Sequence, residues 1–251
     1  MDPVISPNEA VVNTPPEPAF QKLAPTWHTV LLIALLLATS ISGAYSSHEA
    51  QKSGHLVIQY CIQMGWEWLI FGFVVWGVRR NGITLRNLIG GRWDEFEDFL
   101  LDVAIGVGGW ISCYLAAALV AVSLGLMKHP EAVRKAKSAV EFLYPHTTLE
   151  SIVAVCLAVT AGICEETIFR GYLQRQFSAY AKNAWVGLVA GAALFGASHG
   201  YQTWWQMVLI CVIGLVLGAM AHFRKSVRPG ILTHSLIDST SLLLGRFVKM
   251  S

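Results

Sequence analysis

Residues 148–176 read TLESIVAVCLAVTAGICEETIFRGYLQRQ, an apolar run long enough to cross a bilayer that carries two adjacent acids, Glu165 and Glu166, in its second half. About 20 predominantly apolar residues span the hydrocarbon core as helix. A charged side chain at mid-depth costs roughly 2.5–3.5 kcal/mol even on the lenient insertion scale, so ionisable residues there mark function by default. The same chemistry recurs downstream, where His199 closes a second apolar stretch and His234 with Asp238 sits in a third. The pattern predicts a membrane-embedded catalyst.

Composition agrees. Apolar residues make up 54% of the chain against 14% charged, and residues 183 to 223 contain no Asp, Glu, Lys or Arg. A soluble domain does not leave such a stretch uncharged. The net charge of +2 is too small to argue for nucleic acid, and the basic residues fall in loops, as membrane topology places them. The partner expected from composition is therefore the lipid bilayer. The five cysteines, Cys61, Cys113, Cys156, Cys164 and Cys211, all lie in apolar runs without CxxC or metal-ligand spacing, and read as small buried packing residues.

Seven candidate spans follow from the apolar runs: 28 to 46, 56 to 78, 99 to 126, 148 to 176, 184 to 200, 203 to 222 and 229 to 246. The fold expected is an all-α polytopic membrane helical bundle of about seven transmembrane helices with the catalytic core in the last four. Three regions result: a disordered polar tail at 1–26, N-terminal transmembrane helices and an amphipathic loop at 27–147, and a catalytic core at 148–246. The tail is proline-bearing and acidic without a basic cluster, which reads as a tail before a retained first span rather than as a signal peptide. Thr147 and Glu150 have the spacing of a capping box, and residues 199 to 202 read as a tight turn. Ala192, Gly196 and Gly200, and again Gly214 and Gly218, recur every four residues, the pattern that lets helix backbones approach closely in lipid.

Basic loops after the second, fourth and sixth spans put those loops and the N-terminus in the cytoplasm, with the plasma membrane as the expected location. Residues 127 to 147 disagree, because Lys128, Arg134, Lys135 and Lys137 would then lie outside. Pro130 at a helix start, with Val133, Val140 and Leu143 roughly on one face, reads as an interfacial amphipathic helix.

On the fourth span the residues Glu165, Glu166, Thr167, Ile168, Phe169 and Arg170 divide the two acids. Neighbouring helical positions diverge by about 100°, whereas i and i+4 share a face. Glu166 therefore pairs with Arg170, and Glu165 is left as the unneutralised carboxylate for proton transfer. Phe195 and His199 share a face on the fifth span, and His234 and Asp238 on the seventh. Counting about 1.5 Å per residue from the cytoplasmic helix ends puts Glu165 at about 17 Å depth, His199 at about 22 Å, His234 at about 8 Å and Asp238 at about 14 Å. Glu67 interrupts the second span but belongs to none of these patterns, and reads as structural.

Taken in this order on separate membrane helices, the glutamate pair with arginine, Phe then His, and His then Asp resemble the CPBP family, which comprises the CAAX prenyl endopeptidases and the bacterial Abi or bacteriocin-processing proteins. The resemblance covers residues 150 to 245. It implies an intramembrane endopeptidase acting on a peptide or membrane-anchored protein substrate, in which Glu165 is the catalytic glutamate, Glu166 and Arg170 complete the first motif, and His199 and His234 are the histidines of the second and third. Asp238 falls where many members have asparagine, and an ionised aspartate donates no hydrogen bond. Glu165, His199 and His234 are also an acceptable set of zinc ligands, so zinc-assisted and metal-free water activation both stay open. The competing readings are a proton-coupled transporter, which predicts a repeated charge pattern that is absent here, and a catalytically silent immunity or scaffold protein.

Overall fold

In hydrocarbon every backbone N–H and C=O must be satisfied inside the protein, which restricts an open chain to helices. The computed structural model describes residues 20–53, 55–245 and 247, with side chains except at 42–53 and 127, and among these residues it contains helices and no strand. The long helices are α1 (Thr26–Ser53), α2 (Leu56–Arg79), α4 (Phe96–Ser123), α6 (Thr148–Glu166), α8 (Ala184–Ala197), α9 (Trp204–Arg224) and α10 (Arg228–Gly245). Shorter elements are α3 (Leu85–Ile89), α5 (Pro130–Ser138) and α7 (Arg175–Ala181).

Residues 1–19 of the expected tail lie outside the described residues. At its other end, Leu23 and Ala24 are buried, and Gln176 holds both, accepting from the Leu23 N–H at 2.7 Å and donating to the Ala24 carbonyl at 2.7 Å.

Helix ends follow local chemistry. Thr147 accepts from the Glu150 N–H and the Glu150 carboxylate returns to the Thr147 N–H, a complete capping box at the start of α6. Thr203 and Gln206 repeat the device at the start of α9, and Asn183 caps α8 by accepting from Trp185 and Val186. The turn expected at 199–202 joins α8 to α9.

The span count differs from expectation. Four helices, Leu56–Arg79, Phe96–Ser123, Thr148–Ala181 and Trp204–Arg224, are long and apolar enough to cross a membrane, with shorter apolar helices at Thr26–Ile41 and Ala184–Ala197. α10 is in neither group, because Thr233, His234, Ser235, Asp238, Ser239, Thr240 and Ser241 dilute its apolar character. The exposed surface of the long helices is oily: Ile62 is 68% exposed on α2, and Leu115 and Leu119 are 66% and 69% exposed on α4. Contiguous apolar surface of this kind marks contact with lipid or protein rather than water. Cys61 and Cys156 share that exposed surface, a correction to the expectation that all five cysteines are buried; all five are free thiols.

The helix Thr148–Ala181 is not uniformly α. Residues Thr167–Gln174 form a π-helical segment, and all eight are buried. Widened turns of this kind recur at functional sites, and this one begins directly after Glu166. Also corrected is the amphipathic element: α5 stops at Ser138, so Val140 and Leu143 belong to the turn that follows, although Val133, Val140 and Leu143 are all half-buried as expected. Gln206 anchors this region by donating to the Ala136 carbonyl at 3.0 Å.

α6 runs between α2 and α10, while α8 and α9 pack as a pair. Small residues set these separations. A Cβ at Gly214 would lie 3.1 Å from Ala192 Cα, and one at Gly196 would lie 2.7 Å from the Met207 carbonyl, so the predicted small-residue pattern does bring α8 against α9. At Gly162 a Cβ would strike Ser235 Oγ and stand 2.8 Å from the Ile231 carbonyl, which puts α6 and α10 in backbone contact beside the acids. Near the other end of α10, buried Asp102 on α4 accepts from Trp93 Nε1 at 2.8 Å, Arg224 Nε at 2.8 Å and Arg228 Nε at 3.0 Å, pinning α4 to the junction of α9 and α10.

Because backbone rather than a flexible side chain blocks the site, Gly162→Val is expected to destabilise the protein by about 1–3 kcal/mol, the usual range for overpacking. Thermal unfolding in detergent measures this; an unchanged midpoint would mean that α6 and α10 are not in contact there.

Candidate functional site

The site is built outward from Glu166, whose side chain is fully buried. Its Oε1 receives Arg170 Nη1 at 2.6 Å and His234 Nδ1 at 3.0 Å, while Arg170 Nη2 donates to the Gly214 carbonyl at 3.2 Å. One carboxylate thus joins α6 and the π segment to α10, and one guanidinium continues the chain to α9. Gln174 repeats the second link one turn on, donating to the Gly218 carbonyl at 3.0 Å. Gly214 and Gly218 leave the α9 backbone open to these donors. Gly230 makes room for Glu166 itself, since a Cβ there would stand 2.9 Å from Glu166 Oε2. The i, i+4 pairing expected of Glu166 and Arg170 is present.

With Nδ1 committed to Glu166, His234 presents Nε2 to two further acids: Asp238 Oδ2 at 3.5 Å and Glu165 Oε2 at 3.9 Å. Glu165 Oε2 is buried without a hydrogen-bond partner. Buried polar atoms are rarely left so unless they hold a functional group or a water. Asp238 is the most open of the three, with 35% of its side chain exposed.

His199 reaches the cluster from the α8–α9 turn. Its Nδ1 lies 2.8 Å from the Phe195 carbonyl. A carbonyl only accepts, so Nδ1 carries the hydrogen and the neutral ring keeps its lone pair on Nε2. Phe195 is the common wall: its ring centroid is 5.0 Å from that of His199 and 5.6 Å from that of His234, and Arg170 lies over its face at 4.2 Å. The Phe-then-His spacing seen in the sequence therefore places the aromatic as a spacer that fixes both imidazoles and the guanidinium.

Glu165, His199, His234 and Asp238, drawn from three separate apolar stretches, are thus brought together, supported by Glu166 and Arg170. The depth count gave Glu165 and His234 a separation of about 9 Å, which the fold removes. The helix that bears Glu165 runs 34 residues, Thr148–Ala181, or about 51 Å at 1.5 Å per residue against a core of about 30 Å. A helix that long tilts in the core or runs past it, so straight counts from span ends share no reference level.

Two residues join the cluster that the motif reading left out. Glu67 of α2, the helix packed along α6, is 8% exposed, and its Oε1 accepts from Gln63 Nε2 at 3.1 Å. Its signal was in the sequence, since an acid alone in an apolar span meets the same test that singled out Glu165. Tyr201, in the turn two residues after His199, has its ring 5.8 Å from that histidine. Its hydroxyl accepts from Gln202 at 3.1 Å, which leaves the O–H free to donate. Among the described residues no group of three His, Cys, Asp or Glu side chains is disposed to share a metal ion. The donor set on hand suits proton transfer: an unpartnered carboxylate oxygen, an imidazole lone pair, and an imidazole and a phenol that donate.

Removing one partner of a buried ion pair leaves the other charged and unpaired, at about 3–5 kcal/mol. Glu166→Ala and Arg170→Ala are each expected to destabilise on that scale, and the double variant by less than their sum. Unfolding in detergent checks the cycle; additive losses would mean that the two side chains do not pair.

Residues 147–240 match the family model described as Type II CAAX prenyl endopeptidase Rce1-like, a stretch that holds Glu165, Glu166, Arg170, His199, His234 and Asp238. No curated protein and no solved structure matches the chain. The match and the four long apolar helices describe an integral membrane protein with a peptide hydrolase domain. Through residues 147–240, then, the chain is similar to the Rce1-like CAAX prenyl endopeptidases.

Proposed function

We propose that the protein is an intramembrane endopeptidase that cleaves a peptide bond of a membrane-anchored substrate with water activated by Glu165 and His199. The observation that carries this reading is the meeting of an unpartnered buried carboxylate oxygen, Glu165 Oε2, with two imidazoles fixed against one phenylalanine. A general base must stand within hydrogen-bond reach of the proton that it removes, and a fixed donor must await the oxyanion. In this scheme Glu165 takes a proton from the water, whose second lone pair attacks the carbonyl carbon while His199 Nε2 accepts its other O–H. His234 donates from Nε2 to the oxyanion. The tetrahedral adduct then collapses with scission of the C–N bond, and Glu165 returns the proton to the leaving nitrogen.

Asp238 acts in this scheme on His234, not on the substrate oxygen, because a carboxylate at 3.5 Å from Nε2 steadies a positive imidazole rather than donating. Glu166 and Arg170 hold His234 and the helix end in register.

The reading extends to topology. Seven helices cross the plasma membrane, with the N-terminus and the segments 79–97 and 223–228 in the cytoplasm, following the basic loops. α5 lies along the opposite surface with its cationic face among headgroups.

Three outcomes are expected. Glu165→Gln keeps the shape and loses the base, so purified variant in proteoliposomes folds but leaves a membrane-anchored peptide uncut; turnover at the wild-type rate would exclude Glu165 as the base. Strong chelation leaves the wild-type rate within about twofold, since no step above uses a metal; loss of activity restored by zinc would reverse that. For topology, Gly82 is a poor probe because its φ is 75°, a region costly to residues other than glycine. Asp94→Cys, in a chain whose exposed Cys61 and Cys156 are replaced by serine, is expected to resist an impermeant thiol reagent in intact cells, and ready labelling with sealed membranes would invert the orientation.

A further inference from the structure

α1 lies outside the stretch that matches the family model, yet one of its side chains reaches the turn that carries His199. Ser40 is buried, and its Oγ donates to the Ala197 carbonyl at 3.0 Å while accepting from the Gly200 N–H at 2.7 Å. These two backbone groups flank Ser198 and His199 in the chain. A single hydroxyl therefore clamps the turn on both sides of the histidine.

The commonplace role of a serine or threonine in an apolar helix is to bond back to its own helix, at a carbonyl one turn earlier. Thr39 does this toward Leu36, and Ser112 and Ser123 on α4 do it toward Gly108 and Leu119. Ser40 spends its hydrogen on another helix instead. Ala197 is the last residue of α8, and the final carbonyls of a helix have no partner within it, a costly state away from water. The fit is close on the other side as well, since a Cβ at Gly200 would stand 2.6 Å from Ser40 Oγ. Gly200 is not among the glycines with positive φ, so space for that hydroxyl is what its missing side chain supplies.

The consequence falls on His199. Its N–H donates to the Gly196 carbonyl at 3.2 Å and its own carbonyl accepts from the Gln202 N–H at 2.9 Å, so its backbone belongs to the clamped turn. Its ring follows that backbone through the bond from Nδ1 to the Phe195 carbonyl. We infer that Ser40 is a positioning residue for His199: through this one hydroxyl α1 fixes the α8–α9 turn so that His199 Nε2 meets the substrate water. For its catalytic consequence this rests on the hydrolytic reading above, whereas the clamp itself is a property of the resting protein. Ser40 gains and loses no proton in the cycle.

Two substitutions and one exchange measurement test it. Ser40→Ala removes both bonds and is expected to lower kcat about 10- to 100-fold with KM within about twofold, because a catalytic group displaced by about 1 Å loses that much. Gly200→Ala makes the same break from the other side, its methyl displacing the hydroxyl, and is expected to be slowed alike. In the Ser40→Ala background that methyl would lie 3.9 Å from the remaining Cβ, an ordinary contact, so the double variant is expected to be no slower than Ser40→Ala alone. Hydrogen exchange of the resting proteins in lipid reads the clamp without substrate: the Gly200 amide is expected to exchange about tenfold faster in Ser40→Ala, the scale of one lost hydrogen bond, while the Ser198 amide, bonded to the Leu194 carbonyl, exchanges as before. The inference is overturned if Ser40→Ala turns over like wild type, if its loss lies in KM alone, if the two substitutions lose activity additively, or if exchange at Gly200 is unchanged. Should Ser40→Ala fail to fold, Gly200→Ala carries the test, and turnover at the wild-type rate there overturns the inference. Should wild-type protein cleave no peptide at all, the hydrolytic reading falls, and amide exchange alone still decides whether Ser40 holds the turn.

Discussion

The Glu166–Arg170 pair sits where no water relieves it, and much of the site follows from that. Two charges withdrawn from water carry a desolvation penalty of several kcal/mol each, and mutual attraction offsets it only when the remaining lone pairs and hydrogens are also satisfied. The protein meets part of the requirement by recruiting other helices: Glu166 Oε1 takes a second hydrogen bond from His234 on α10, and the spare nitrogen of Arg170 finds the Gly214 carbonyl on α9, while Glu166 Oε2 is buried without a hydrogen-bond partner. α9 and α10 are thereby fixed to one turn of helix. Gly162 and Gly230 are small because the approach of α10 to α6 leaves no room for a Cβ, and Gly214 because Ala192 of α8 lies against it.

His234 inherits its orientation from that pair. Once Nδ1 is spent on Glu166, Nε2 can only face Glu165 and Asp238. Phe195 does the corresponding work on the other side, separating the His199 and His234 rings while the Arg170 guanidinium lies over its face. Cation–aromatic contact in a desolvated setting is worth about 2 kcal/mol, enough to hold the ring in place. The polar centre is therefore rigid in the way that catalysis by preorganised groups requires, within a scaffold whose outer face is oily.

Much of this was legible in the sequence because membrane helices are written plainly. Long uncharged runs located the long helices of the described residues to within a few residues at most ends, Thr147 with Glu150 marked the start of α6, and the i, i+4 spacing of Glu166 and Arg170 announced their contact. What stayed hidden depends on tertiary packing. α2 is apolar on every side, with Trp66, Trp68 and Leu69 all exposed, so no periodicity shows that Glu67 turns inward toward α6. The π segment Thr167–Gln174 has no sequence signature here, and helix lengths alone misjudged the depths of Glu165 and His234. The span count was blurred for a related reason: the polar residues that make α10 useful make it look less like a membrane helix.

The central claim is that water held between Glu165 and His199 cuts a peptide bond inside the membrane. The most direct measurement follows the oxygen. Wild-type protein in liposomes, given a membrane-anchored peptide in water enriched in oxygen-18, is predicted to release two fragments with one labelled oxygen in the new C-terminal carboxylate and none in the new amine fragment. A peptide left intact under these conditions, or cleaved without taking up the label, would contradict the account.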